Sequence, residues 1–423
     1  MIWFFVAVNV LVIFAWSWLI WMKSNPLIRK FFWPAWFLKL MSGVGIGLLY
    51  TYYYPASDTI TYHDDGEIMA DFARRNFAGY LDFLWHGDGT SEIWPQISSI
   101  QPRALFIVKI VSVVSLMTED NYWVSSMYFS LLSLWGVWKL CEEIMHDLPA
   151  IRFQLVASFL FLPSFVFWSS GLIKESIAVA ALFYLCALVI KAWFYRRLEL
   201  WEWIILPFAL LTLWNLKYYY LAMFAPIVFA MLSSRYLFQK YKHVSFGVRC
   251  CVWSFLLIAP LIIMAMSHPN LHPKVFLEVI VANYEDFVDS SQPEGVIFYK
   301  SLEPTISSVV VNSPKALFSG FFRPLPWEAH TIVQVLDAIE NTIILIITLF
   351  ALTRIKLLAG SPYRLLIGSA LLYCLILCLF LAMSTPNFGS LARYRVGFMP
   401  FYVLVITLNN PLINRISALA QRN

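Results

Sequence analysis

The stretch at 62–67, Tyr-His-Asp-Asp-Gly-Glu, concentrates side chains that accept protons. Together with the nearby Asp58, it offers Asp58, His63, Asp64 and Asp65 as candidates for a general base. A carboxylate or an imidazole deprotonates a hydroxyl that lies within hydrogen-bonding reach. The simpler interpretation is structural: Asp64 and Asp65 precede a helical pattern, and acidic residues favour the N-terminus of a helix.

A second set of candidates is basic and falls at the ends of apolar segments, where it could hold an anion. The set is Lys174, Lys217, Arg323, Arg393 and Arg395, with Glu175 beside the first and Tyr394 between the last two. A guanidinium group matches phosphate through two parallel hydrogen bonds, so we expect a phosphate group at the membrane surface. Each cation could instead pair with an acidic residue on its own side or extend to the lipid interface.

Asp337 and Glu340 lie within an apolar segment that begins near residue 329, and their spacing puts them on one side of a helix. Charged groups inside a membrane are costly and usually face a polar cavity, so we expect both to line the floor of one. An interhelical hydrogen-bond network is the plainer alternative. Trp327 precedes the segment, and we expect it either to anchor the interface or to stack on a sugar.

The composition indicates an integral membrane protein, because 60% of the 423 residues are hydrophobic and only 13% are charged. We expect an all-α polytopic protein that forms a single integral membrane domain over residues 1–423, with no nucleic-acid partner. Apolar segments predict about 11 transmembrane helices, at 2–22, 32–54, 122–145, 151–168, 174–194, 201–215, 217–235, 247–267, 329–353, 363–383 and 393–410.

Two long loops, 55–121 and 268–328, interrupt the predicted spans. Within the first, 104–117 is short for a crossing and is typical of a re-entrant or interfacial helix, and 65–85 is expected to be an amphipathic helix on the membrane surface. If 104–117 does not cross, one set of short loops carries a large excess of Lys and Arg. The positive-inside rule then places those short loops in the cytoplasm and both long loops on the extracytoplasmic face.

The many spans, the long first outer loop with an acidic motif and the juxtamembrane helices resemble the GT-C superfamily of membrane glycosyltransferases. Stretches at 168–175 (Trp-Ser-Ser-Gly-Leu-Ile-Lys-Glu), 323–328 (Arg-Pro-Leu-Pro-Trp-Glu) and 392–395 (Ala-Arg-Tyr-Arg) are similar to bacterial envelope-polysaccharide proteins, including polymerase-like ones. The GT-C superfamily usually has one span before the acidic loop, whereas two are predicted here. The resemblance implies Asp64 or Asp65 as the base, outer Arg or Lys residues on the donor phosphate, and a bacterial inner-membrane location.

We therefore expect a glycosyltransferase that moves a sugar from a polyprenyl-phosphate carrier to a glycan or lipid acceptor outside the cytoplasm. Stabilising the leaving phosphate requires no metal or other cofactor, although the acidic loop could hold a divalent cation. A polysaccharide polymerase or ligase that uses diphosphate-linked oligosaccharides would need the same groups. A flippase or transporter of lipid-linked sugars is the alternative from another class. It should carry polar groups through the full membrane depth, whereas the candidates here concentrate on the outer side.

Overall fold

A computed structural model describes residues 2–54, 58–87, 89, 91–241 and 244–420 of the chain. The all-α fold is confirmed, because the regular structure in these ranges is helical and its β-pairing is limited to the isolated bridge Val296–Asn387. The first helices are α1 Ile2–Lys23, α2 Pro26–Arg29, α3 Phe32–Leu48, α4 Asp58–Arg75, α5 Phe77–His86, α6 Pro102–Thr118, α7 Tyr122–Asp147, α8 Arg152–Leu160, α9 Pro163–Trp168 and α10 Lys174–Trp193. The later helices are α11 Leu200–Lys240, α12 Phe246–Ser267, α13 Pro273–Ser290, α14 Ile306–Phe322, α15 Ile332–Leu352, α16 Ile355–Ala359, α17 Arg364–Ser384, α18 Phe388–Tyr394, α19 Met399–Thr407 and α20 Pro411–Ala420.

Within the described residues, seven helices are long and apolar enough to cross a membrane, which supports an integral membrane protein. They are Trp3–Lys23, Phe32–Tyr53, Lys174–Trp193, Leu200–Lys240, Gly247–Ser267, Ile332–Leu352 and Arg364–Ser384. Two predicted spans, 201–215 and 217–235, both lie on α11, which leaves helical geometry at Lys217 (φ −143°, ψ 60°). The total of eleven spans stays a prediction.

The first long loop contains more helix than the sequence pattern indicated. The acidic stretch lies inside α4, which begins at Asp58, so the N-cap interpretation of Asp64 and Asp65 is wrong. The predicted amphipathic helix 65–85 is divided at Asn76, whose side chain accepts a hydrogen bond from the Gly79 N–H and caps α5. The segment 104–117 lies within α6. Residues 55–57, where the predicted loop starts, lie outside the described residues.

The chain forms two compact units. Unit 1 comprises the chain up to Ala150, Val166–Ile190 and Leu198–Tyr218, and unit 2 comprises Ile151–Phe165, Lys191–Arg197 and the chain from Tyr219 onward. Each unit therefore brings together segments that are distant in the sequence.

The core of unit 1 places α4 against α6. Tyr62, Met69 and Ala73 of α4 are buried at helical spacing and face apolar residues of α6, namely Ile107, Val108 and Val111. Gly66 permits the close approach, because a Cβ atom there would lie 3.1 Å from the Val111 Cβ. Burial of a large side chain of this kind contributes about 1.5–3 kcal/mol, so the acidic helix has a fixed position in its unit.

In unit 2 the core is aromatic and joins α14, α17 and α19. The Phe321 and Tyr402 rings lie 4.1 Å apart between centroids. The Cys374 thiol donates to the Phe398 carbonyl at 3.4 Å, which ties α17 to the start of α19. These contacts fix the 395–399 segment, which carries one of the predicted phosphate-binding arginines.

Candidate functional site

The carboxylates of the acidic helix α4 differ in burial. Asp65 is 2% exposed, and its two oxygens accept the backbone N–H groups of Ser98 (2.9 Å) and Ser99 (2.8 Å). This pairing accounts for its burial without any catalytic role, because a buried carboxylate needs such donors. Asp64 and Asp58 are exposed. Of the four predicted bases, these two carboxylates face solvent.

His63 of α4 is intermediate in burial between Asp65 and Asp64. Its ring lies edge-on to the Tyr122 ring, with 5.3 Å between the centroids. Burial lowers the pKa of His63, and the charges of Asp64 and Glu67 oppose that shift without cancelling it. Burial thus favours the neutral imidazole, the form that can accept a proton.

The turn at 169–173, which we call the Lys174 turn, is fixed by hydrogen bonds from three helices. Lys39 of α3 donates to the Ser169 carbonyl at 2.8 Å and to the Ser169 hydroxyl at 2.6 Å. Ser130 of α7 accepts from the Gly171 N–H at 2.8 Å. Thr59 of α4 donates to the Leu172 carbonyl at 2.5 Å. The turn closes through Gly171 at φ +75°, a conformation that favours glycine.

Two predicted phosphate-binding residues, Lys174 and Glu175, directly follow this turn, and a third, Lys217, pairs with Glu175. The Lys174 ammonium lies 4.7 Å from the centre of the Tyr62 ring, so the first residue of α10 contacts the acidic helix. Glu175 is fully buried and pairs with Lys217 at 2.8 Å. Lys217 sits at the break in α11. An ionic partner inside the unit gives Lys217 and Glu175 a structural role, and Lys174 is the member of the group that borders α4.

Unit 2 contains the other predicted cations, and Arg395 is the most buried of them at 4% exposure. Its guanidinium donates to the Asn341 side-chain oxygen at 2.9 Å, to the Ser319 carbonyl at 3.2 Å and to the Arg323 carbonyl. The charges of Asp337 and Glu340 also act on it. Arg395 thus joins α14, α15 and the start of α19, which accounts for its burial by structure alone.

Arg323 pairs with Glu328 in a fork, with Nε 2.9 Å and 3.0 Å from the two carboxylate oxygens. Glu328 also accepts the Leu325 N–H at 2.9 Å. Burial would raise the pKa of Glu328, but the hydrogen bonds from Arg323 and Leu325 outweigh it and lower the pKa. The pair closes the 323–328 corner, from which Trp327 projects at 78% exposure.

For the remaining candidates of unit 2, the structure gives burial and some of the hydrogen-bond partners. Glu340 accepts from the backbone N–H of Ser164 at 2.8 Å and from the Ser164 hydroxyl, which fits the interhelical alternative. Asp337 is 8% exposed on the same helix. Arg393 is half-buried beside Tyr394, whose carbonyl accepts from the Tyr220 hydroxyl at 2.8 Å. Phosphate binding by Arg393 and a polar cavity at Asp337 stay predictions.

Two residues of unit 1 were not among the predicted candidates. Lys39 lies within the predicted span 32–54, where a charge in an apolar segment is itself a signal of polar partners. Arg103 directly precedes the predicted 104–117 helix, and its guanidinium lies 5.4 Å from the centre of the Tyr218 ring. In the described ranges, no group of three His, Cys, Asp or Glu residues is arranged to hold a metal ion. No family model, curated protein or solved structure matches the chain.

Proposed function

We propose that the protein is a membrane glycosyltransferase that moves a sugar from a polyprenyl-phosphate carrier to an extracytoplasmic glycan or lipid acceptor. The observation that carries the proposal is the docking of α4 on the Lys174 turn, through the hydrogen bond from Thr59 to the Leu172 carbonyl. It brings the solvent-facing carboxylates of α4 and the Lys174 cation into one unit. A base for the acceptor and a cation for the leaving phosphate are the two groups that this transfer requires.

In the proposed reaction, Asp64 takes the proton of the acceptor hydroxyl, and the acceptor oxygen attacks the anomeric carbon of the sugar. The bond from that carbon to the phosphate oxygen breaks, and the lipid phosphate leaves as an anion that Lys174 stabilises. Asp58 is the alternative base, because it is also exposed on α4. Asp65 is the weaker choice, since both of its oxygens already accept backbone N–H groups.

The test is glycosyl transfer by the purified full-length chain in lipid nanodiscs, with polyprenyl-phosphate sugars as donors. Asp64→Asn should lower turnover by about 100-fold or more, the range for loss of a general base, while the amount of folded protein is unchanged. Asp71→Asn, at another exposed position of α4, is the matched control. Wild-type turnover in both Asp64→Asn and Asp58→Asn would refute a carboxylate base on this helix.

Donor and sidedness need their own measurements. Activity with diphosphate-linked oligosaccharides and not with monophosphate-linked sugars would change the assignment to a polysaccharide polymerase or ligase. The proposed location is the bacterial inner membrane, with eleven spans and the acidic helix outside. Glu67 is exposed on that helix, so Glu67→Cys, in a chain whose six native cysteines are replaced, should react with a membrane-impermeant maleimide on intact cells. Labelling only after cell lysis would refute the extracytoplasmic site.

A transporter of lipid-linked sugars is the second candidate, and the break of α11 at Lys217 favours it. Transporters commonly bind substrate at interrupted helices that carry polar groups within the membrane, and the Glu175–Lys217 pair is such a group. A transporter would move a lipid-linked sugar across a vesicle bilayer without altering it. A glycosyltransferase would release the lipid phosphate and yield a glycosylated acceptor.

A further inference from the structure

The guanidinium N–H groups of Arg323 and Arg395 donate to other residues of the protein, and those of Arg103 differ from them. It is exposed in the first turn of α6 and lies over the Tyr218 ring. To the residues that the structure describes, it makes neither an ion pair nor a hydrogen bond, and its guanidinium lies 5.4 Å from the centre of the Tyr218 ring. A guanidinium carries five N–H donors in a planar fork. Stacking on an aromatic face holds the plane while leaving those donors available.

The ring beneath Arg103 belongs to the same connected group as the Lys174 turn. Tyr218 is 7% exposed, and it follows Lys217, whose ammonium pairs with the buried Glu175. Glu175 in turn follows Lys174, which lies over Tyr62. Two cations therefore each lie over a tyrosine ring, and both are linked through neighbouring residues of the chain to one buried ion pair. The acidic side chain of that pair is fully buried, so it does not offer its carboxylate at the surface.

The backbone that leads to Arg103 is fixed by Asp65. This carboxylate holds the N–H groups of Ser98 and Ser99, a few residues before α6 begins at Pro102. Further along α6, Tyr80 of α5 forms a hydrogen bond of 3.0 Å with the Ser112 hydroxyl. The start of α6 is thus tied to the same helix that presents Asp64. Losing Asp65 would free the 98–101 segment without removing any charge from Arg103 itself.

We propose that Arg103 is a phosphate-binding residue for an anionic lipid, and that Asp65 is a positioning residue that acts through it. The ligand class is a phosphate ester on an isoprenoid chain. The proposal rests on the proposed function in taking this phosphate to be that of the sugar donor. It assigns to Asp65, a predicted catalytic base, a different role in the same site.

The experiment measures binding of farnesyl phosphate to the full-length chain in phosphatidylcholine nanodiscs, where no anionic lipid competes. Arg103→Gln should weaken binding by about 10- to 100-fold, the range for loss of a hydrogen-bonded charged contact. Arg103→Lys should recover part of the affinity, because it keeps the charge and loses the fork. Arg75→Gln, an exposed arginine on α4 that donates to the Asp71 carbonyl, is the control and should bind as wild type. Farnesol, which lacks the phosphate, should bind at least 10-fold more weakly.

Asp65→Asn tests the positioning role. It should weaken binding in the wild-type background and cause no further loss in the Arg103→Gln background, because coupled residues are not additive. An equal loss in both backgrounds would show general destabilisation and overturn the role of Asp65. Unchanged binding by Arg103→Gln, or an equal loss in Arg75→Gln, would overturn the role of Arg103.

Two comparisons separate this proposal from its neighbours. Displacement of farnesyl phosphate by an equal concentration of inorganic phosphate would overturn the assignment to a lipid. Phosphate binding that depends on Arg103 in a chain without glycosyl transfer would refute the proposed enzyme and keep this site. Glycosyl transfer with unaltered donor affinity in Arg103→Gln would refute this site and keep the enzyme.

Discussion

The buried Glu175–Lys217 pair predicts a large loss of stability when one partner is removed and a small one when both are. At 2.8 Å and an effective dielectric constant of about 20, the attraction is about 6 kcal/mol. Desolvation costs several kcal/mol for each ion, so the pair contributes little net. Glu175→Gln or Lys217→Met alone leaves a buried charge without this partner, which costs about 3–5 kcal/mol.

The double variant Glu175→Gln/Lys217→Met should recover most of that loss, or even exceed wild-type stability, because neither charge is left buried. The assay is the fraction of folded protein that remains after heating in detergent, followed by size-exclusion chromatography. For a unit of about 200 residues, 3–5 kcal/mol corresponds to a fall in Tm of roughly 6–20 °C.

The control is Lys139→Met, which breaks a more exposed pair with Glu142 in the same unit. The Lys139 and Glu142 side chains keep 28% and 14% exposure, so solvent screens this pair more and the Tm of this control should fall less than in either single variant. If the double variant loses as much stability as the two single variants together, the two charges are not coupled.

Two further predictions concern the Lys174 turn and the 323–328 corner. Gly171→Ala should lower the free energy of unfolding by about 1–2 kcal/mol, because alanine resists the left-handed conformation. The control Gly368→Ala lies in α17, where an added Cβ meets nothing within 4 Å, and its Tm should be unchanged or slightly higher. Equal losses of stability in the two variants would refute the backbone argument. Because the folded-state pKa of Glu328 is lowered, its stabilising effect is present above the ordinary value of 4.5 and is lost as pH falls through the lower folded value. The Tm advantage of wild type over Glu328→Gln should therefore be present at pH 7 and vanish in acid; an advantage that persists at pH 2 would contradict it.

Hydropathy predicted the all-α fold and located the long apolar helices, because a membrane span requires a run of apolar residues that is visible in the chain. It placed two spans on either side of Lys217, and the structure has two helical stretches that meet at a kink at this non-helical residue. The start of α4 was missed, since the polar stretch before Asp64 carries no apolar period. Its helix is supported by packing on α6, which sequence pattern alone does not reveal.

The structure gives several candidate residues partners that their type and spacing in the sequence did not indicate. Lys174, Glu175 and Lys217 were all expected at a phosphate, whereas Glu175 and Lys217 pair with each other across 42 positions of the chain. Asp65 was expected as a base, and its two hydrogen-bond donors lie 33 and 34 residues away. Such pairings depend on which helices meet, so residue type and local spacing cannot reveal them.

Lys39 has a consequence for how the chain is made. Its helix carries a lysine into the bilayer, and a lone lysine there costs up to about 2.5–3.5 kcal/mol during insertion. The Ser133 hydroxyl that accepts one of its hydrogen bonds is translated 94 residues later, and the Ser169 groups that complete the set are translated 130 residues later. At about 5–20 residues per second, that delay is roughly 6–26 seconds. During synthesis, the second apolar helix must therefore stay in the membrane before all of these hydrogen bonds can form. Its insertion is a step that a membrane insertase or chaperone would assist.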